Sequence, residues 1–320
     1  MACGPSGPVQ EQVYQGGALG TSYAIKLFTR DTTNLQPAID SVYGAVNHSL
    51  STYIPDSDIS RINRGEDSIV VDAMFREVFK TSGDIHARTN GYFDPTVGIL
   101  VDAWGFGPGS ALEMDSARVD SLLRYVGFEK VHLDADGRIV REIPGLRLDF
   151  NAIAKGYAID RLALMLEQKG IRDYLVEVGG EIRASGKNLA KDSPWVVGID
   201  DPQATAGRSI KKIIRFSDRS MASSGNYRKF RVDSITGEKF VHTIDPHTGY
   251  TRNSNILATS VLAGTCMEAD AYATAFMAMD LEDSQKLLAE SPDLEGYIIY
   301  LGEGGETLEF MTPGFEALVQ

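Results

Sequence analysis

Residues 267–279 constrain this chain more than any other stretch. They read as one helix that is apolar on nearly every side. A surface helix keeps a polar face, whereas a helix apolar all round has to be covered by other elements. Yet this one carries Asp270 and Thr274, four apart and so on one face. A carboxylate in a covered helix is costly unless it is paired or binds a cation. Carboxylate plus hydroxyl is a hard-oxygen pair suited to magnesium, which keeps waters and shares substrate phosphates. The plainer alternative is that Thr274 bonds back to the carbonyl of Asp270 while Asp270 caps a neighbouring loop.

A chain of 320 residues, 43% of them hydrophobic, can bury a sizeable core around such a helix, as one large domain or two joined lobes. The formal net charge of −13 argues against nucleic acid, whose phosphates would be repelled. An acidic protein that handles an anionic substrate needs local cations, which again points to a metal. No apolar run approaches the roughly 18 residues of a membrane span. Two cysteines are too few for a disulfide scaffold. Cys266 reads as a buried small hydrophobe. Cys3 stands in the lead Met1-Ala2-Cys3-Gly4-Pro5 with no charged or apolar signal region before it. Such a lead suits a chain beginning just before a lipid-modified cysteine, and equally an incidental cysteine in a tail. Residues 1–12 are expected to be a flexible lead and residues 13–320 the folded domain.

Strands and helices mix without regular alternation, which predicts an α+β fold rather than a doubly wound sheet. Strand patterns at 13–14 and 23–28 flank a glycine-rich turn at 16–21. Helices are predicted over 35–50, 57–63 and 72–89, and a strand–turn–strand over 131–141 with Asp136-Gly137 at the turn. Strands follow at 174–178, 181–185, 256–262, 297–301 and 308–311, and a hairpin over 227–244 turning at Thr236-Gly237.

Two further segments carry chemistry. Residues 149–160 run from the end of a predicted strand (146–150) into a helix reaching about residue 168, with Asn151 as N-cap and Gly170 after the last turn. A strand feeding a helix start offers free N–H groups and a positive dipole end, a natural anion site. Lys155 can reach the same anion and Asp149 guards the strand end; an ordinary junction with a solvated lysine is the competing reading. The second segment, Val241-His242-Thr243-Ile244-Asp245-Pro246-His247-Thr248-Gly249, is a strand end and turn. There His242 is suited to deprotonate a hydroxyl near neutral pH, although most isolated histidines are structural.

Taken together, these blocks resemble the ApbE family of FAD:protein FMN transferases, flavin-trafficking proteins commonly exported as lipoproteins. The resemblance rests on Leu19-Gly20-Thr21, Ser51-Thr52-Tyr53 with the 57–63 helix, Phe93-Asp94-Pro95-Thr96-Val97-Gly98 and Trp104-Gly105-Phe106-Gly107. It continues through the 149–160 segment, Val178-Gly179-Gly180-Glu181-Ile182-Arg183, Ser223-Ser224-Gly225-Asn226-Tyr227, the His242 turn and Ala269-Asp270-Ala271, all in the family's order. It implies two intimately joined lobes with an FAD and magnesium site in the cleft between them. The metal would be held by the Ala152 carbonyl and the side chains of Asp270 and Thr274. FAD contacts would fall at Leu19, Ser51, Thr52, Tyr53, Tyr92, Phe93, Asp94, Asp149, Lys155 and Ile244, with His242 as base. Leu19 departs from the methionine usual there, an apolar exchange of similar volume.

The activity so implied is magnesium-dependent transfer of FMN from FAD to a Thr or Ser hydroxyl of an acceptor flavoprotein, with release of AMP. An FAD pyrophosphatase giving FMN and AMP, or a non-enzymatic exported flavin carrier, are the alternatives. The acceptors implied are subunits of membrane redox complexes. The implied location is the periplasmic side of the bacterial inner membrane, with a lipid anchor at Cys3.

Overall fold

The computed structural model describes residues 7–204, 209–226, 230–232, 239–252 and 254–320. The chain opens with the hairpin β1 (Gln10–Ala18) and β2 (Thr21–Thr29), then five helices: α1 (Gln36–Leu50), α2 (Asp58–Asn63), α3 (Ala73–Arg88), α4 (Gly98–Ala103) and α5 (Ser116–Leu123). A short hairpin β3 (Val131–Leu133) and β4 (Ile139–Arg141) precedes α6 (Ala154–Gln168). Strands β5 (Asp173–Val178), β6 (Glu181–Ser185), β7 (Trp195–Asp200), β8 (Ile210–Phe216) and β9 (Arg219–Gly225) follow, then β10 (Phe230–Val232) and β11 (Lys239–Val241). The chain closes with β12 (Ile256–Ala263), α7 (Cys266–Ala278), α8 (Leu281–Glu290), β13 (Glu295–Leu301), β14 (Thr307–Met311) and α9 (Pro313–Glu316).

The frame is an eight-stranded sheet of order β1-β2-β5-β6-β9-β12-β13-β14, every neighbouring pair antiparallel. This is the α+β organisation expected from the unalternated element order. One face carries the main core, built by Ile25, Leu27 and Val176 of the sheet with Ile39, Leu162 and Phe276 of α1, α6 and α7. The other face is covered by the β7–β8 pair, whose Trp195, Val197, Ile199, Ile214 and Phe216 form a second core with Phe315 of α9. A third cluster ties Leu100 of α4 and Trp104 just after it to Val119 of α5 and to Ile244.

The all-round apolar helix is α7, with 11 buried residues among its 13. Its N-terminus abuts α6. A Cβ on Gly156 would lie 2.2 Å from the Cys266 carbonyl oxygen, so only glycine lets the two helices approach this closely. One turn on, the Asp160 carboxylate accepts from the N–H groups of Cys266 (2.9 Å) and Met267 (2.8 Å), capping α7 from outside its own chain segment. Cys266 is buried as expected, and burial raises its thiol well above the usual value.

Three local expectations are corrected. Residues 146–150 form no ladder strand: a single bridge joins Arg147 to Val97. The Asn63 side chain instead takes both backbone groups of Leu148 at 2.8 Å, and Asp149 N–H donates to the Pro95 carbonyl at 2.7 Å. Asn151 does not cap α6; the helix begins at Ala154 after Ile153, and the Asn151 amide donates to Asp149 and Thr52. Gly16 and Gly17 lie within β1, so the first turn is the two residues Leu19 and Gly20, both at positive φ (52° and 75°). That is the geometry which matches strand twist in a two-residue hairpin. β1 also begins at Gln10, inside the lead expected to run to residue 12. The predicted Thr236-Gly237 turn, Tyr227 and Cys3 lie outside the described residues.

Candidate active site

A cavity of about 1430 Å³ opens beside α7 and gathers the segments singled out in the sequence. Ligand sites of ordinary size run to about 1,000 Å³, so this one has room for a dinucleotide. Its walls include Leu19, Ser51, Tyr53, Tyr92, Phe93, Asp94, Asp149, Ala152, Lys155, His242, Ile244, Asp270 and Thr274. Thr52 is the exception among the expected residues. It faces a separate pocket of about 250 Å³ and accepts from the Asn151 amide at 3.2 Å.

The charged centre is built where α6 meets α7. Asp270 is 2% exposed, and its Oδ2 accepts from the Gly156 N–H at 3.1 Å. The helix start expected to bind an anion therefore holds one of the protein's own, across the contact that Gly156 permits. Lys155 Nζ reaches Asp270 Oδ1 at 3.4 Å and Glu181 Oε1 at 3.3 Å. Burial works against the ammonium, but Asp270 and then Glu181 outweigh it and hold Lys155 charged well above its ordinary range. Glu181, 5% exposed, is pushed up to about 7 by burial and by Asp270, against the pull of Lys155. Its Oε2 is buried with no hydrogen-bond partner. The Thr274 hydroxyl lies 3.5 Å from that of Ser224 on β9.

The Val178–Arg183 motif contains Glu181 without pointing to its role. The signal available was its position directly after Gly179-Gly180, both at positive φ, in a strand otherwise free of acidic residues. With Glu181 ionised, two carboxylates against one ammonium leave this wall with an excess negative charge. Among the described residues no group of three or more His, Cys, Asp or Glu side chains is placed to hold a metal. A cation here would rest on few protein ligands and share its remaining positions with water or phosphate.

Another part of the lining comes from the turn after β11. His242 is half-buried, with the Phe106 ring edge-on at 6.4 Å between centroids. The turn is pinned at two points after it. Thr243 Oγ1 donates to Asn226 at 2.8 Å, and Trp104 Nε1 donates to the Gly249 carbonyl at 2.9 Å. Gly249 has φ 75°, and a Cβ there would meet Val119 at 2.9 Å, so the turn requires glycine. Buried Asp245 accepts from the His247 N–H at 2.9 Å and lies 3.6 Å from Arg252.

Some expected contacts have their polar atoms already engaged. Asp94 Oδ1 accepts from the Thr96 N–H and hydroxyl (2.7 and 2.6 Å), and Oδ2 from Phe128 N–H at 3.2 Å. Asp94 thus orders its own loop and lines the cavity as part of that loop. Asp149 accepts from the Asn151 backbone at 2.7 Å, and burial nevertheless pushes its carboxyl up to about 6.

The chain is similar to known proteins in both sequence and fold. The ApbE family profile matches residues 19–298. The chain is 34% identical to an FAD:protein FMN transferase of Haemophilus influenzae, over 91% of this chain and 86% of that protein. It is equally identical, at 34%, to the protein of that name from Vibrio cholerae, over 95% and 92% of the two. The solved flavin transferase ApbE of Vibrio cholerae superposes with a TM-score of 0.86 at 31% identity, covering 97% of this chain and all of that one. The apo flavinyl transferase ApbE of Pseudomonas stutzeri gives 0.84 at 27% identity, with 97% of each chain covered. The match across most of the chain, in fold and in sequence, means that this chain belongs to the ApbE family.

Proposed function

We propose that the chain transfers FMN from FAD to a threonine or serine hydroxyl of an acceptor flavoprotein, forming a phosphoester and releasing AMP, in dependence on magnesium. The observation that carries this reading is the Lys155–Asp270–Glu181 cluster in the wall of a cavity that also presents His242. A flavin carrier would need the cavity but not a buried charge cluster sharing it with a histidine.

The donors fit the ion. The Asp270 carboxylate, the Thr274 hydroxyl and the Ala152 carbonyl are hard oxygens, and the orphaned Glu181 oxygen and surplus negative charge beside them call for a cation. When bound, magnesium supplies charge neutralisation to the pyrophosphate oxygens. The remaining work falls to the chain itself. Lys155, kept charged by its two carboxylates, lends fixed positive potential to the same wall. Leu19, Tyr92, Phe93 and Ile244 give the cavity apolar surface for a flavin ring. His242 takes the proton of the acceptor hydroxyl. The hydroxyl oxygen then bonds to the FMN-side phosphorus, the bridging P–O bond breaks, and AMP leaves with that electron pair.

The test is a denaturing gel of FAD, magnesium and an acceptor flavoprotein, read by flavin fluorescence beside a control without acceptor. The reading expects a fluorescent acceptor band and stoichiometric AMP. Release of FMN and AMP alone would make the protein a pyrophosphatase, and intact FAD would make it a carrier. Asp270→Ala is expected to abolish both products, and retained turnover would refute the metal assignment. The same reading carries an exported enzyme on the periplasmic side of the inner membrane, anchored through Cys3 and serving subunits of membrane redox complexes. Intact-mass analysis of the membrane fraction for acylated Cys3 tests that part.

A further inference from the structure

Among the described residues, strand β7 presents an open edge at the rim of the same cavity. The β8 edge of the two-stranded sheet is closed: Arg215 N–H donates to the Leu318 carbonyl, and Gln320 N–H to the Ile213 carbonyl. Those bonds turn Ile213 and Arg215 toward the C-terminal segment, so Ile214 and Lys212 face β7, pairing with Val197 and Ile199. Antiparallel geometry then directs the N–H and C=O groups of Val196 and Gly198 away from β8. Among the described residues nothing accepts from or donates to them.

Side chains mark the same edge. Val196 (44% exposed), Ile210 (55%) and Ile213 (41%) stand on the outer face of the pair. Ile210 leans over bare Gly198, where a Cβ would meet it at 3.1 Å. Open edges are ordinarily blunted by lysine, proline or a bulge. The middle of β7 has none of these, and its only register shift comes at Asp200. The edge is also continuous with the site, because Gly198, Ile199 and Asp200 line the cavity that presents His242.

We propose that the acceptor polypeptide docks here as an added strand, pairing its main chain with Val196 and Gly198 so that the segment bearing the hydroxyl runs into the cavity. The inference rests on the transferase reading. An acceptor must bring a hydroxyl to His242, and a strand laid along β7 already borders that space. Main-chain pairing supplies affinity, and the Val196–Ile210–Ile213 strip supplies pockets for alternate side chains.

The test uses the soluble domain of a flavin-bearing redox subunit as acceptor. Val196→Pro removes the outward N–H and leaves the β7–β8 ladder intact, since that group does not bond to β8. The acceptor concentration at half-maximal labelling should rise about tenfold, equivalent to about 1.4 kcal/mol, while FAD affinity stays unchanged. Hydrogen exchange of the unaltered protein gives a readout independent of the variant's folding: the Val196 and Gly198 amides should slow when acceptor is added. Unchanged acceptor dependence, or unchanged exchange at both amides, overturns the docking edge and leaves the transferase reading standing. Slowing that grows with protein concentration and needs no acceptor would assign the edge to a second copy of this chain. Failure of the unaltered protein to label the acceptor, with FAD bound, would overturn the transferase reading and this inference with it.

Discussion

Replacing Lys155 with Met tests what the ammonium does, because Met keeps an unbranched apolar stem and removes the charge together with its N–H donors. Lys155 stands 3.3 Å from Glu181 and 3.4 Å from Asp270, whose side chains are 7% and 3% exposed. Each contact is worth about 5 kcal/mol of gross attraction at an effective dielectric of about 20, most of it cancelled by the cost of burying the charges. Breaking a buried pair by deleting one partner costs about 3–5 kcal/mol, because the remaining charge is stranded. Here two carboxylates are stranded, while the lysine side chain is 29% exposed and water screens part of the loss. The expectation is therefore about 3–5 kcal/mol, measured by urea unfolding in EDTA at pH 8.

The loss must also depend on pH, with a definite sign. The Glu181 carboxyl already titrates near 7 in the folded protein, above its ordinary 4.5. A raised carboxyl pKa means the folded state holds the extra proton between those two values, so stability falls as pH rises through that window. Removing Lys155 takes away the charge that pulled Glu181 down, so the variant is protonated still further up the scale. The penalty should then be smaller at pH 5.5 than at pH 8, and added magnesium should recover more stability in the variant than in the parent protein. A loss under about 1 kcal/mol at pH 8, or the same loss at both pH values, would refute the charge-pairing argument.

Other expectations can be checked with simpler measurements. His242→Ala should lower acceptor labelling by about 10²–10⁴-fold with FAD binding retained; a smaller loss in single-turnover assays would remove His242 as base. Asp160→Ala strands two buried N–H groups at the start of α7 and should cost about 2–4 kcal/mol in unfolding free energy. Leu19→Asn relieves a leucine held at φ 52°, so the melting temperature should rise by the equivalent of up to about 1 kcal/mol. Because Leu19 also lines the cavity, calorimetric titration should show weaker FAD binding.

Much of the frame follows from local pattern. Residues 36–50, 73–88 and 266–278 are helical because their apolar spacing and the caps Asp72 and Thr265 act within a few residues. The Asp136-Gly137 turn likewise needs only its own φ, with Gly137 at 82°. Residues 195–200 and 210–216 carry no clean alternation in the sequence: Lys211, Lys212 and Gly198 interrupt it. Only their burial against Phe315 and the sheet makes them strands.

The site divides along the same line. Sequence by itself determined that a carboxylate and a hydroxyl share one face of a buried helix, that a lysine opens another helix, and that His242 sits at a strand end beside a turn. Each of these depends on spacing along one segment. Tertiary structure alone decided that Asp270 would cap α6 through Gly156, that Lys155 would be shared with Glu181, and that Thr52 would face a neighbouring pocket. It also decided that residues 146–150 would be held by Asn63 rather than by a strand partner. Glu181 and Asp270 lie 89 positions apart, as 270 − 181 shows. Nothing local requires them to meet. The close approach at Gly156 and the sheet order bring them together, so that two buried carboxylates share one ammonium.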